Sequence, residues 1–353
     1  MSADLTSLRS IIWLTNRHDQ SGPANGALHD SERSIPEANH SGVRTRRRQD
    51  IATGTTLTLS EAIHNASAVD ADALGFLAKM LVQTTLPHKA QPGKEYTRTD
   101  GDVTLSITDL GGGGLPYGAY PRLILVWMTT EALRTRERRL ELGRSLSSFM
   151  GHLGLQCTGG HWGTIPRFRG QMERLFGAAI STRWKRDTGE QTNAGGSNLV
   201  LAEEFDLWWT PQKLPRAPLE KSSVTLSQRF YDQLVEAPVP LDLRAIRVLK
   251  RSPLALDFYA WATRRVSYLK RPTAIPWSAF QASFGAGYAE TPQGKSRFRG
   301  NAMEALRRVK AVYPQLRFEI WTDAVVLYPS STHIPRLARG VVGTSFPPQG
   351  RRS

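Results

Sequence analysis

Apolar and polar residues follow the same helical period in two distant stretches of the chain. Both stretches begin with the tetrad Arg-Phe-Arg-Gly, at residues 167–170 and again at residues 297–300. Apolar residues then recur at equal offsets: Met172, Leu175, Phe176 and Ala179 in the first copy, and Ala302, Ala305, Leu306 and Val309 in the second. Spacing of i, i+3, i+4 and i+7 is typical of one apolar helix face. We therefore predict amphipathic helices over residues 166–180 and 296–312, each with a basic outer side.

The segments around each copy repeat in type and order. Upstream come a long apolar helix, an extended run and a short helix, at 121–134, 138–142 and 145–153 and again at 253–269, 273–276 and 277–284. Downstream come two strand-like runs typical of a hairpin, at 181–187 and 199–209 and again at 316–321 and 324–328. The order helix, strand, helix, helix, hairpin predicts an α+β fold of two tandem winged-helix domains. The third helix of each is the natural groove reader.

Local composition divides the chain further. Residues 1–56 are polar and aperiodic, which predicts a disordered tail, and their basic knot of Arg44, Arg46, Arg47 and Arg48 is compatible with loose DNA binding or with no specific role. We predict a first domain at 57–210, a proline-rich linker at 211–224, a second domain at 225–334 and a tail at 335–353. Within the first domain, residues 72–82 have a helical period, and 95–98 and 103–107 alternate as a hairpin.

Charge and cysteine content narrow the class of protein. The chain has 353 residues with 46 basic and 31 acidic side chains, giving a net charge of +15, so a polyanion is the expected partner. The single cysteine, Cys157, excludes an internal disulfide and predicts a reducing, cytoplasmic setting. We expect no membrane span, because the most apolar run, 123–128, is much shorter than the roughly 20 residues that a span needs.

The outward positions of the two helices are candidate DNA contacts. Asn and Gln can pair with adenine and Arg with guanine in the major groove. Candidate base readers are Arg297, Asn301, Arg307 and Arg308 in the second copy, with Glu304 as a cytosine contact, and Arg167, Gln171 and Arg174 in the first. Candidate phosphate contacts are Arg169, Arg183, Lys185, Arg186, Lys295, Arg299 and Lys310. A merely solvated basic face is the alternative for each helix.

The sequence contains no recognisable motif for catalysis or nucleotide binding. The glycine tract at 111–114 lacks the Lys-Ser or Lys-Thr of a phosphate loop, so we expect it to be a flexible connection. No His-x-His pair occurs, as the metal site of a rolling-circle nicking enzyme would require; His152 and His161 are nine residues apart. We therefore expect neither enzymatic activity nor a cofactor or metal.

Several short runs resemble RepA-type plasmid replication initiators. They include Leu86, Pro87 and His88, the run Gly114, Leu115, Pro116, Tyr117 and Gly118, then Pro121, Arg122 and Leu123, and later positions through Arg169, Gln171, Met172, Arg174 and Leu175. The resemblance covers roughly residues 86–210, and the second domain only by architecture.

The resemblance implies a theta-type initiator that binds origin direct repeats, called iterons, as double-stranded DNA. Members open an adjacent AT-rich region, recruit the host DnaA and the replicative helicase, and exist as homodimers in equilibrium with monomers. The first domain then carries the dimer contact, and the second is the principal iteron reader. A tandem winged-helix transcriptional repressor, including one that represses its own promoter, is the alternative.

Overall fold

The structure is a computed structural model that describes residues 62–63, 65–83, 85–100, 103–143, 145–187, 192–207, 222–285 and 287–335. The expected N-terminal tail, most of the expected linker and all but the first residue of the expected C-terminal tail lie outside the described residues. The described part is a mixture of helices and antiparallel sheets, which confirms the α+β class.

The first half of the chain alternates strands and helices. In order they are β1 (Leu74–Ala78), α1 (Lys79–Gln83), β2 (Glu95–Asp100), β3 (Val103–Asp109), α2 (Ala119–Thr135), β4 (Arg139–Gly143), α3 (Leu146–His152), α4 (Thr164–Phe176), β5 (Ala178–Asp187), β6 (Thr192–Val200) and β7 (Ala202–Asp206). Strands β2, β3, β5 and β6 form one sheet in that order. The helix α4 and the hairpin β5–β6 therefore follow each other directly.

The second half begins with elements that complete the sheets of the first. They are β8 (Ser222–Leu226), α5 (Gln228–Glu236) and β9 (Pro238–Asp242). Strand β8 lies between β4 and β7, and β9 pairs with β1 from Leu74 opposite Asp242 to Ala78 opposite Pro238. The expected linker therefore ends earlier than 224, because residues 222–224 already belong to a central strand.

The remaining elements form a compact helical unit with a small sheet. They are α6 (Leu243–Leu249), α7 (Pro253–Val266), β10 (Thr273–Pro276), α8 (Trp277–Phe284), α9 (Pro292–Val312), β11 (Phe318–Ile320) and β12 (Ala324–Leu327). Strand β12 is central, with β10 and β11 antiparallel on either side. The strand upstream of α8 and the hairpin downstream of α9 thus share one sheet.

Equivalent phenylalanines fill the core of both helical repeats. The ring of Phe149 on α3 lies 5.9 Å from that of Phe168 on α4, and the ring of Phe280 on α8 lies 6.4 Å from that of Phe298 on α9. All four side chains are almost fully buried. The predicted apolar face of α9 is confirmed, since Phe298, Ala302, Ala305, Leu306 and Val309 are buried. The repeat in the sequence therefore corresponds to a repeat in packing.

Two predicted helices are wrong in part. Residues 74–78 of the expected helix at 72–82 form β1, because this short apolar run, which its period alone cannot assign, pairs with the distant β9. The first amphipathic helix ends at Phe176 rather than at residue 180, since Gly177 caps it and Ala178 to Ile180 pair with β3. Residues 192–198, which lie between the two predicted strands of the first hairpin, are also strand and pair with β5.

A buried ionic cluster joins the two halves. The carboxylate of Asp257 on α7 accepts hydrogen bonds from Arg122 on α2, with Nε–Oδ1 2.7 Å and Nη2–Oδ2 2.8 Å, and Oδ2 lies 2.8 Å from Nε2 of His88. Arg122 also donates to the carbonyls of Leu86 and Gly118 at 2.6 and 2.7 Å. Residues that carry the family resemblance, among them His88, Arg122 and Gly118, therefore hold the junction between the halves.

The charges of this cluster follow from its burial. Burial lowers the pKa of His88, and the neighbouring Arg122 charge acts in the same direction, against the hydrogen bond with Asp257. Burial by itself would raise the pKa of Asp257, but the charge of Arg122 and the hydrogen bonds from His88 and Arg122 outweigh it, and the pKa lies below its usual value. The cluster is therefore an ion pair with a neutral imidazole beside it.

Candidate nucleic-acid interface

The outer face of α9 carries the candidate base readers of the second copy in exposed positions. Arg297, Asn301, Glu304, Arg307 and Arg308 are all exposed, as the helical period predicts. Glu304 accepts a hydrogen bond from Arg308 Nε at 3.0 Å and lies 3.6 Å from Arg307 Nη1. Exposed pairs of this kind contribute little stability, so both arginines can exchange the carboxylate for another anion at small cost.

Asn301 is oriented by a residue that the sequence did not single out. Its Nδ2 donates to the hydroxyl of Tyr288 at 2.7 Å, and the Tyr288 ring packs edge-on against Phe298 at 5.3 Å. Tyr288 lies in the segment between α8 and α9, outside any periodic pattern. Only the folded chain brings its hydroxyl to the helix face.

Arg299 in the N-terminal part of α9 links the helix to the β11–β12 turn through contacts with Trp277 and Trp321. The guanidinium of Arg299 lies 5.1 Å from the ring centroid of Trp277 and donates to the carbonyl of Trp321 at 3.2 Å. Trp277 Nε1 donates to the same carbonyl, also at 3.2 Å. Trp321 is about half exposed at the turn. The hairpin tip and the N-terminal part of α9 therefore form one surface, and sequence reasoning missed both tryptophans in it.

The two lysines of α9 differ in their surroundings. Lys295 is exposed near the N-terminus of the helix, 3.7 Å from Glu290. Lys310 Nζ instead donates to the carbonyls of Pro314 and Leu316, at 2.7 and 2.6 Å, just beyond the C-terminus. Lys310 therefore ties the segment after α9 to the helix, which the phosphate-contact prediction did not foresee.

The corresponding face of α4 is only partly open. Arg167 and Arg169 are exposed; Arg167 Nε donates to the carbonyl of Gly163 at 3.1 Å, and Arg169 pairs with Glu173 at 3.2 Å. The outward position predicted for Gln171 is wrong: the side chain is buried, and its Oε1 accepts from the backbone N–H of Tyr117 at 2.8 Å. The loop before α2 covers this side of α4, and a helical wheel contains no such tertiary contact.

Arg174 is held by the same loop. Its Nε donates to the carbonyl of Gly113 at 2.8 Å, and its guanidinium lies 5.2 Å from the Tyr117 ring centroid. Asp109 accepts from the backbone N–H groups of Gly112 and Gly114, both at 2.8 Å. The Asp109 carboxylate thus binds the backbone N–H groups that would bind phosphate in a phosphate loop. The glycine tract is a fixed cover of α4 rather than a flexible connection.

The remaining basic candidates lie on the first hairpin. Arg183 is exposed on β5, where its backbone pairs with Thr104 of β3 and Gly196 of β6. Lys185 and Arg186 follow on the same strand, opposite Ala194 and Asn193. Their side chains lie outside the described part of the structure. The three residues stay candidate phosphate contacts.

The described residues contain neither a metal-binding cluster nor a membrane-spanning helix. They contain no group of three His, Cys, Asp or Glu side chains placed to bind a metal ion. Within the same residues, no helix is long and apolar enough to cross a membrane.

A strongly basic chain with two helix–hairpin units and exposed arginines has the features of a nucleic-acid-binding protein. Comparison with known proteins defines the class more narrowly. Residues 115–278 match the model of a family described as plasmid encoded RepA protein. The resemblance to RepA-type initiators is thereby confirmed from residue 115 onward, and it extends beyond residue 210 to the start of α8; residues 86–114 lie outside the match. The match supports a role in replication initiation, and it includes both Arg122 and Asp257.

Other comparisons add little. No curated protein matches the chain. Among solved structures, the crystal structure of RctB domains 2–3 is similar over 70% of this chain and 94% of that chain, with a TM-score of 0.45 and 10% identity. A selenomethionine derivative of RctB domains 2 and 3 matches over 70% of this chain and 96% of that chain, with a TM-score of 0.43 and 8% identity.

Proposed function

We propose that the chain is a plasmid replication initiator that binds direct repeats in double-stranded origin DNA through two winged-helix units. The observation that carries this proposal is the exposed face of α9, with Arg297, Asn301 and Arg308 aligned beside a fastened hairpin. Arg and Asn are the side chains suited to guanine and adenine in the major groove. The family match favours origin DNA over another polyanion.

In this proposal the second unit is the principal reader. The order α7, β10, α8, α9, β11 and β12, with β10 paired to the hairpin, supports the assignment of this unit as a winged helix. In the first unit, β4 pairs with β8 rather than with the hairpin, and the loop before α2 covers part of α4. Arg167 remains its exposed candidate base reader, with Arg169 and Arg183 as phosphate contacts.

Further steps of initiation are part of the same proposal. Binding of successive repeats would promote opening of the origin and recruitment of the host DnaA and replicative helicase. A homodimer in equilibrium with the monomer would control the number of active molecules. A transcriptional repressor would use the same face of α9, so the two functions are distinguished by the DNA that is bound.

Footprinting on the candidate origin of the chain's own plasmid tests the proposal. Regularly spaced direct repeats should be protected, each over two major-groove faces about 10 to 10.5 bp apart. Protection of a single inverted repeat at a promoter, without support of plasmid maintenance in trans, would instead identify a repressor.

The groove assignment has its own test. Arg297→Ala should weaken binding by about 1 to 3 kcal/mol and relax the preference at one base pair. The matched control is Arg229→Ala, an exposed arginine on α5, which should retain both affinity and preference. If the Arg297 variant keeps the parental affinity and base preference, the assignment of α9 to the major groove is wrong.

A further inference from the structure

A cluster of basic residues lies at the junction between the two halves of the chain, which we call the seam. The cluster belongs to neither of the proposed groove-reading helices, α4 and α9. It consists of Arg247 on α6 and of Lys250 and Arg251 directly after it. Arg247 and Arg251 are exposed, and Lys250 is half-buried. The sequence shows these residues as a run of basic positions and gives no reason for them. Their location in the fold supplies one.

Helix α6 bridges the two helical units. It packs against α9 on one side. At its C-terminal end, Lys250 Nζ donates to the carbonyl of Gly154, the residue at which the chain leaves α3 and turns toward α4. The aliphatic part of Arg247 lies against the same glycine, whose added Cβ would be 3.5 Å from Arg247 Cγ. The cluster therefore lies where the connection between α3 and α4 meets α6, the helix that packs against α9.

These charges have no carboxylate partner among the residues that the structure describes. Within the described part of the chain, no acidic side chain lies within ion-pair distance of Arg247, Lys250 or Arg251. Other exposed arginines are paired, such as Arg169 with Glu173 and Arg308 with Glu304. Burial lowers the pKa of Lys250, and the charges of Arg251 and Arg247 lower it further. The three cations thus repel one another and are suited to a shared external anion.

We propose that Arg247 and Arg251, positioned by Lys250, bind the phosphates of the DNA backbone between the two major-groove faces occupied by α4 and α9. This inference rests on the proposed function, because it needs both helices on one duplex. It adds a phosphate site at the junction of the units, which fixes their position along the helix axis without reading bases. Lys250 holds the cluster to Gly154, and the two exposed arginines supply the contacts.

The test compares the salt dependence of binding to the protected repeat. Each phosphate contact contributes a slope of about −0.9 to log K against log salt concentration. The double variant Arg247→Ala/Arg251→Ala should reduce the magnitude of the slope by about two, with the base preference unchanged. Hydroxyl-radical footprinting should lose the protection between the two groove contacts and retain it elsewhere. The charge-preserving Arg247→Lys/Arg251→Lys should keep slope and footprint near those of the parent.

Arg229→Ala/Lys94→Ala is the matched control, because it removes two exposed positive charges elsewhere. The phosphate site at the seam would be overturned if this control reduced the slope equally. It would also be overturned if Arg247→Ala/Arg251→Ala left the slope unchanged or altered the base preference. The proposed function would stand in each of these cases. Absence of salt-dependent binding by the parent protein would instead overturn the proposed function, and the seam site with it.

Discussion

Asn301 is oriented before any DNA arrives. One N–H of its amide is engaged by the hydroxyl of Tyr288, which leaves the second N–H and Oδ1 available. These are the two groups that pair with N7 and the N6 amino group of adenine. The Tyr288 hydroxyl thus holds the Asn301 side chain in place, and a pre-oriented side chain loses less entropy on binding.

Tyr288→Phe tests this orientation. The variant keeps the ring packed on Phe298 and removes only the hydroxyl, so thermal stability should change little. Discrimination for the base pair read by Asn301 should fall by about 1 kcal/mol, roughly fivefold. Binding to repeats with single base changes measures it. Tyr268→Phe is the control, since Tyr268 is also partly exposed but follows α7. A parental base profile in the Tyr288 variant would count against the orienting role.

His88 gives a prediction about pH. Its folded-state pKa lies below the usual 6.5, chiefly through burial, while Arg122 and Arg98 oppose its charge and Asp257 favours it. Below about 6.5 the unfolded chain therefore binds more protons at this position than the folded chain. The resulting contribution lowers the free energy of unfolding as pH falls from 6.5 toward the folded pKa, and it is constant above 6.5.

Denaturant unfolding between pH 5.5 and 7.5 measures this contribution. His88→Gln keeps an N–H donor toward Asp257 but does not titrate, so its stability should depend less steeply on pH than that of the parent. His152→Gln, at an exposed position on α3, is the control for the change of residue type. Identical pH profiles of the parent and His88→Gln would show that His88 is not protonated on unfolding.

At the scale of elements, α9 shows how one helix uses the same residue type in two ways. Lys310 binds two carbonyls at the C-terminus, whereas Lys295 projects near the N-terminus. Lys310→Met should lower the free energy of unfolding by about 1 kcal/mol and leave the salt slope of DNA binding unchanged. Lys295→Met should do the opposite, with stability retained and the slope reduced by about one.

Urea unfolding and salt titration of both variants decide between these roles. A reduced slope with unchanged stability in Lys310→Met would restore the phosphate contact predicted from the sequence. Because both changes remove one charge from the same helix, any general effect of net charge cancels in the comparison.

Local periodicity was sufficient to predict an element and its core residues where the element's own sequence determines its structure. Strand β10 and helix α8 have the bounds that the pattern predicts, and Phe168 and Phe298 are core residues of matching helices. It failed where a distant segment decides the outcome. Residues 74–78 become a strand by pairing with β9, Gln171 is covered by the loop at Tyr117, and β8 completes a sheet of the first half. Pairing across the chain leaves no periodic signal in either partner.

At the scale of the whole molecule, the proposed binding mode requires contacts across the seam to hold α4 and α9 in a fixed position relative to each other. Asp257 and Arg122 connect α7 with α2, and Arg98 on β2 donates to the carbonyl of Gln281 on α8 at 3.4 Å and to Thr85 at 2.8 Å. A rigid seam requires the two groove contacts to keep one spacing. Each inserted base pair would rotate one contact by about 34° relative to the other.

Breaking the ion pair should therefore change both stability and spacing. Asp257→Asn leaves the buried Arg122 without its counter-charge, so the free energy of unfolding should fall by about 3 to 5 kcal/mol, whereas Arg122→Met/Asp257→Leu should recover much of the loss. Asp232→Asn, at an exposed aspartate of α5, is the control for the amide change and should be nearly neutral. Urea unfolding of Arg122→Met, Asp257→Leu and their double variant gives the coupling energy between Arg122 and Asp257. Binding is then compared on repeats lengthened by one or two base pairs between the groove contacts. The parent protein should bind the lengthened repeats poorly. Asp257→Asn should bind the parental repeat more weakly than the parent protein does. It should also discriminate less against the lengthened repeats, because its two units can move relative to each other. If Asp257→Asn loses stability but keeps the full penalty for inserted base pairs, the ion pair stabilises the fold without determining the spacing.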